Sequence, residues 1–241
     1  MSLESFGING SHYGFSAQRI ADLGAAEYTL VTIAADSSPS VEPFRAEIER
    51  CIGAVVRASR SSPRADNLML RVTTFDSAVH ELHGFKPLAE CPLAAYDGCL
   101  THGGGTALFD GAHNGATALA GYGKHLSKAN FNVNGILFVI TDGEDNGSRA
   151  LGPDVRDALK AAVETETLES LTSVLVGVNV QEPRMADYLA AFHKDAGFTR
   201  YVELGCADTD TLAKLADFVS RSVYAQSLAL GSGKASVQLT F

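Results

Sequence analysis

Residues 29–36 read TLVTIAAD and residues 37–44 read SSPSVEPF: a β-branched apolar run, then Asp36, then serines at 38 and 40, then the start of a helix-like pattern. The run YTLVTIAA (28–35) lacks polar alternation, which is the signature of a strand buried on both faces of a parallel sheet. After it, PFRAEIERCIGAVVRAS (43–59) places Phe44, Ile48, Ile52, Val55 and Val56 on one helical face, with Pro43 in the first turn. A buried strand leading straight into an amphipathic helix is a β-α step. The loop between them holds more oxygen than a turn needs. Turn and N-cap chemistry accounts for Asp and Ser one at a time; a metal site would use the same oxygens and require others from elsewhere in the chain.

The alternation continues outward. NLMLRVTTF (67–75) and VHELHGF (79–85) read as strands joined by the tight turn DSA, a hairpin that supplies an antiparallel edge. A polar loop over 86–105 and a helix over 107–127 lead to GILFVITD (135–142), apolar enough to be buried on both faces. A helix at 153–167, a strand SVLVGVNV (173–180), a helix at 184–196, a strand RYVELG (200–205) and a closing helix at 208–230 follow, the last capped by Asp208 or Thr209. This order predicts an α/β fold: a doubly wound, mostly parallel sheet flanked by helices on both faces, with one antiparallel edge strand. Residues 1–27, with a short helix at 17–23, are expected to form an N-terminal arm packed on a domain of residues 28–230, and residues 231–241 a tail or short strand. No repeat or linker divides the chain.

Composition narrows the function classes. With 241 residues, 46% of them hydrophobic, the chain can bury a full core. A net charge of −9 without a basic stripe argues against a nucleic-acid partner. Cys51, Cys91, Cys99 and Cys206 lie too far apart for a C-x-x-C motif and are expected to be reduced thiols. The start, MSLESFGINGSHYGF, has no basic and apolar leader pattern, and no run approaches a membrane span. The expectation is a soluble, cytoplasmic protein with no membrane partner.

In an open parallel sheet, ligands bind beyond the carboxyl ends of the strands. Three oxygen-rich segments fall there: Asp36 to Ser40 after the first strand, THGGGT before the helix at 107, and TDGEDN after the strand at 135–141. Together they resemble the von Willebrand factor A (VWA) domain and its metal-ion-dependent adhesion site, written D-x-S-x-S, then a Thr in a glycine-rich loop, then an Asp after a later strand. Asp36, Ser38, Ser40, Thr106 and Asp142 fill all five positions in order, and the resemblance covers about residues 28–225.

The resemblance implies a Rossmann-like VWA fold and a bound Mg²⁺, with Mn²⁺ or Ca²⁺ as other candidates. The serines and threonine would coordinate the ion, and the aspartates would bind it directly or through water. It implies a partner protein that presents an Asp or Glu to the metal, and a non-enzymatic adaptor, as in intracellular bacterial members that act beside AAA+ ATPases or in stress responses. Thr106 could act as a switch coupled to the last helix. Ser37, Pro39, Gly105, Gly143 and Glu144 would surround the ligands, and Asp145 could add a further acidic group.

Elementary chemistry agrees with that transfer. Mg²⁺ takes six oxygen ligands at roughly 2.0 to 2.1 Å and keeps several waters, which suits three hydroxyls and two carboxylates. Without a cation, Asp36 and Asp142 would repel one another in a poorly solvated place. The helix opening near Pro43 adds a positive dipole end that favours an incoming carboxylate. Pro39, where many members of the family have Gly, removes a backbone donor and drives Ser38 towards extended backbone.

Other motifs fail on inspection. DGEDNG begins like an EF-hand loop, but its twelfth position is Pro153 and a buried strand precedes it. HELHG has the wrong spacing for H-E-x-x-H, GSGK lacks the rest of a P-loop, and GYGKH lacks the third glycine of a dinucleotide loop. No G-x-S-x-G elbow occurs. The alternative function class is a metal-dependent hydrolase, such as a phosphohydrolase, using the same cation site; His102 is its candidate base.

Overall fold

The computed structural model describes residues 3–8, 12–101, 103–164, 167–180, 182–205 and 209–229. In chain order these form β1 (Leu3–Gly7), β2 (Gly14–Gln18), β3 (Glu27–Asp36), α1 (Arg45–Arg60), β4 (Leu68–Phe75), β5 (Val79–Pro87), α2 (Leu108–Ser127), β6 (Asn132–Thr141), α3 (Gly152–Glu164), β7 (Leu171–Val178), α4 (Pro183–Ala196), β8 (Arg200–Leu204) and α5 (Thr209–Ala229). The eight strands make one sheet in the order β1-β2-β5-β4-β3-β6-β7-β8. From β4 through β8 the pairings are parallel, as the alternation predicts, and β5 runs antiparallel to β4.

The apolar run of β3 is buried along nearly its whole length because both faces of the strand are covered. Val31, Ile33 and Ala35 pack under α1 and α5, while Tyr28, Leu30 and Ala34 pack under α2. This period of two, with both registers apolar, is why the strand shows no alternation in sequence. On α2, Gly111 and Gly115 let the helix lie close to the sheet. A Cβ on Gly111 would stand 2.6 Å from a ring carbon of Phe75, and one on Gly115 would stand 2.6 Å from a methyl of Leu137. The start of α2 is thereby held near the carboxyl ends of β4 and β6.

Four expectations are corrected. The helix expected at 17–23 is the end of β2 followed by a single 3₁₀ turn, Ile20–Asp22. β1 and β2 form a hairpin that extends the sheet, β2 lying parallel to β5, so the antiparallel edge strand is β1 and not β5. Phe15 and Ala17 point into the core and make this addition favourable. A buried Arg71 on β4 secures it: its Nε donates to Glu81 Oε2 at 2.7 Å and its Nη2 to Asn114 Oδ1 at 2.9 Å. Glu81 in turn accepts the Ser16 N–H at 3.0 Å.

The segment expected as a polar loop at 86–105 holds two 3₁₀ turns, Leu88–Glu90 and Leu93–Tyr96, and buries Leu88, Cys91, Tyr96 and Leu100 against the α1 side of the core. The first helix begins at Arg45 rather than in the turn containing Pro43, because a 3₁₀ turn, Pro39–Phe44, comes first. Asp208, one of the two caps expected for the closing helix, and the tail at 231–241 fall outside the described residues, and α5 opens at Thr209. Among the described residues no helix is long and apolar enough to cross a membrane.

Candidate metal centre

The chain leaves β3 towards β4 on one side and leaves β6 towards β7 on the other, so the strand order reverses between β3 and β6. This is the crevice where open α/β sheets bind ligands. The pairing of Ala35 with Ile140 puts the carboxyl ends of β3 and β6 at one height, which makes Asp36 and Thr141 neighbours.

Asp36 is fully buried and both its oxygens are held. Oδ1 accepts the Ser38 N–H at 2.8 Å, and Oδ2 accepts the Thr141 hydroxyl at 2.6 Å. The turn that follows is set by Pro39, which opens the 3₁₀ segment where a missing N–H is tolerated. Ser38 before it is extended, at φ −66° and ψ 164°. That geometry brings Ser38 Oγ within 2.9 Å of Ser40 Oγ, and Ser40 Oγ donates to Asp142 Oδ1 at 3.0 Å. The side-chain oxygens of Ser38, Ser40 and Asp142 thus form a linked chain across the β3/β6 crevice, tied to Asp36 through the Ser38 N–H. Ser37 faces away from it: its N–H and hydroxyl both donate to the Phe75 carbonyl, at 2.8 and 3.1 Å.

Thr106 enters by its backbone. Its N–H donates to Asn146 Oδ1 at 2.7 Å, and its carbonyl accepts the N–H groups of Asn146 and Gly147 at 3.0 and 3.1 Å. Among the described residues its hydroxyl has no hydrogen bond to the other four oxygens. Gly105 and Gly143 flank the site, and a Cβ on Gly143 would lie 3.9 Å from Ser40 Oγ. Glu144 turns outward to Arg184, at 2.9 Å.

Asp145 serves α2 instead of the oxygen chain. The helix starts after Ala107, which has no capping side chain. Asp145 Oδ1 accepts the Phe109 N–H at 3.2 Å, and Ser148 Oγ accepts the Asp110 N–H at 2.9 Å. The β6–α3 loop therefore caps α2 from across the crevice. Asp110 returns the contact, accepting the N–H groups of Arg149 and Ala150 at 3.2 and 2.8 Å.

Burial raises the Asp36 carboxyl to about 6, against hydrogen bonds from Ser38 and Thr141 that lower it, and the Asp142 charge raises it further. Burial raises Asp142 as well. Among the described residues no basic side chain acts on either carboxyl. Two desolvated acids with no cation beside them are what a hard-cation site looks like before charge balance. Among the described residues no three His, Cys, Asp or Glu side chains gather as a metal cluster. The donors here are two carboxylates and three hydroxyls, a set that fits Mg²⁺ or another hard divalent ion and offers nothing soft. His102 falls outside the described residues.

Thr141, Asn146 and Ser148 are not among the residues that sequence reasoning assigns to the site. Thr141 carries a usable signal in VITD, where a hydroxyl ends a buried strand next to Asp142; Asn146 and Ser148 carry no comparable one.

No protein-family model matches the chain, and no curated protein matches it in sequence. Solved structures match it in fold. The PilB minor pilin from Streptococcus sanguinis aligns with a TM-score of 0.60 at 12% identity, over 86% of this chain and 63% of that one. Proximal thread matrix protein 1 from the mussel byssus, in a structure with a zinc-occupied MIDAS motif, aligns with a TM-score of 0.51 at 17% identity, over 82% of this chain and 46% of that one. BatB from Bacteroides thetaiotaomicron, a conserved hypothetical protein, gives 0.50 at 16% identity, over 78% and 96%. The chain spans less than two thirds of the length of the pilin, adhesin and byssus chains it matches. At these identities the likeness concerns the fold, and the fold is of the VWA type.

Proposed function

We propose that this chain is a metal-dependent protein-interaction domain, which takes an Asp or Glu side chain of a partner protein at a Mg²⁺ held by Asp36, Ser38, Ser40, Thr106 and Asp142. One observation carries the reading: buried Asp36 and half-buried Asp142 are joined through Ser38 and Ser40 at the β3/β6 switch point, with no basic side chain among the described residues to balance them. When bound, the cation supplies positive charge and an open coordination position for an anionic ligand.

The chain's own residues do the rest. The Ser38 N–H and the Thr141 hydroxyl orient the Asp36 carboxylate, so that its charge is fixed in direction as well as place. Pro39 holds Ser38 extended and sets the distance to Ser40. An adaptor role in the cytoplasm belongs to the same proposal. Cys51, Cys91 and Cys99 are free thiols, which suits a reducing compartment, and burial pushes Cys51 up to about 12. No particular observation favours the hydrolase alternative.

The test is calorimetry with Mg²⁺ and Mn²⁺ on the wild type and on Asp36→Ala, followed by capture from lysate with and without chelator. Metal binding that survives Asp36→Ala overturns the site. Capture indifferent to chelator overturns the interaction mechanism.

A further inference from the structure

Thr106 is the one member of the proposed ligand set without a hydrogen bond from its hydroxyl to the other four among the described residues, so something else must decide where that hydroxyl sits. Its backbone is held on both sides by the same residue. The Thr106 N–H donates to Asn146 Oδ1 at 2.7 Å, and the Asn146 N–H donates to the Thr106 carbonyl at 3.0 Å. The Gly147 N–H adds a second donor to that carbonyl at 3.1 Å. A Cβ on Gly105 would come within 3.2 Å of Asn146 Oδ1, so the glycine leaves the amide oxygen room to reach its donor.

The consequence is mechanical. Asn146 lies four residues after Asp142 on the β6–α3 loop, so the clamp refers the position of Thr106 to the loop that carries the second carboxylate. Two further pairs, Phe109 N–H to Asp145 and Asp110 N–H to Ser148, repeat the tie one turn further along α2. Side chains held by such outer contacts determine how well an inner set of ligands fits its ion.

We propose that Asn146 is the positioning residue for Thr106: it fixes the threonine against the Asp142 loop and thereby sets the affinity of the site for its cation, acting through Thr106 and not through the ion. This rests on the metal-site reading above. It also means that Thr106 and Asp142 move together, so a rearrangement of Thr106 alone requires the clamp to open. Because the Asn146 side chain is exposed, its removal leaves no cavity in the core.

The experiment compares wild type, Asn146→Ala, Asn146→Asp, Thr106→Ala and the Asn146→Ala/Thr106→Ala double variant by Mg²⁺ calorimetry on the full chain. Amide hydrogen exchange at residue 106 is measured on the metal-free protein wherever the backbone signal is assigned. Asn146→Ala should speed exchange at Thr106 without metal and weaken Mg²⁺ binding about fivefold, the worth of one hydrogen bond. The double variant should bind no more weakly than Thr106→Ala, because the two residues act in series. Asn146→Asp, which keeps the acceptor, should keep the Thr106 amide protected. Additive losses in the double variant, or an Asn146→Ala change of less than about twofold, overturn the inference; with Asp36→Ala still abolishing binding, the metal site itself survives. If Asp36→Ala leaves Mg²⁺ binding intact, the site reading falls and takes this one with it.

Discussion

Ser40 and Asp142 are 102 residues apart in the chain, yet Ser40 Oγ donates a 3.0 Å hydrogen bond to Asp142 Oδ1 across the crevice between β3 and β6. The bond ties the loop after the first parallel strand to the loop after the third. Ser40 is exposed, so replacing it touches no core packing. Ser40→Ala should change the stability of the metal-free protein by no more than about 0.5 kcal/mol. It should weaken Mg²⁺ binding about tenfold, through loss of one hydroxyl ligand to a charged centre. Thermal melting and calorimetry on the same preparation separate the two effects, and a stability loss without an affinity loss would make Ser40 a structural residue only.

The buried carboxyl of Asp36 predicts an unusual pH dependence in the absence of metal. Its folded-state value of about 6 lies above the ordinary 3.8, so the folded state holds the proton more tightly than the unfolded state does. Its contribution is therefore fully present below pH 3.8 and is lost as pH rises through about 6. The full shift corresponds to about 3 kcal/mol, and Asp142 moves in the same direction. Urea denaturation with chelator should show the wild type losing stability relative to Asp36→Asn between pH 4 and 6. Taking the difference cancels His83, whose value, lowered by burial to about 4, acts with the opposite sign over nearly the same window. Added Mg²⁺ at neutral pH should restore the wild type and leave Asp36→Asn unmoved; an Asn variant stabilised equally by Mg²⁺ would refute the assignment.

Capping of α2 from another loop gives a third expectation. Asp145 accepts the Phe109 N–H and the Ser148 hydroxyl, and Ala107 at α2's own start offers no capping side chain. Asp145→Ala should cost about 1 kcal/mol, which lowers the melting temperature by about 2 to 4 °C in a domain of this size. Hydrogen exchange should speed up at Phe109 and Asp110 before it does so elsewhere in the helix. Unchanged protection there would mean that water replaces the cap without loss.

The parts of this molecule that could be read from sequence are those whose cause is local. The buried runs of β3 and β6 announce themselves because both faces are apolar, and Asp36, Ser38, Ser40 and Asp142 follow those runs immediately. The N-terminal hairpin could not be read the same way. Only Phe15, Ala17 and Gln18 of β2 are buried, too short a pattern to tell a strand from a helical turn, and the strand that receives it, β5, lies more than sixty residues away. The segment at 86–105 buries Leu88, Cys91, Tyr96 and Leu100 through 3₁₀ turns whose spacing matches neither a helix nor a strand period. Thr141 and Asn146 acquire their partners from strand register and loop docking, which no short window of sequence contains.

Arg71 is the odd residue in the run LMLRVTTF, a full charge in a strand with both faces covered, and its burial supplies the last prediction. The guanidinium is fully buried, and burial lowers its pKa against the opposing influence of Glu81. Glu81 is the acidic partner at 2.7 Å and simultaneously the acceptor for Ser16 of the first hairpin. Removing the acid alone strands a buried cation, a change that typically costs about 3 to 5 kcal/mol, whereas exchanging both partners for apolar groups of similar volume is often neutral. Glu81→Ala should therefore be severely destabilising in urea denaturation and should expose β1 and β2 to hydrogen exchange first. Arg71→Met combined with Glu81→Leu should recover most of the loss in global stability, because no stranded charge is then left under the hairpin, while exchange in β2 stays faster for want of the Ser16 acceptor. A Glu81→Ala protein as stable as the wild type would mean that Asn114 and the Gly14 carbonyl alone satisfy the guanidinium, and that the hairpin does not depend on the ion pair.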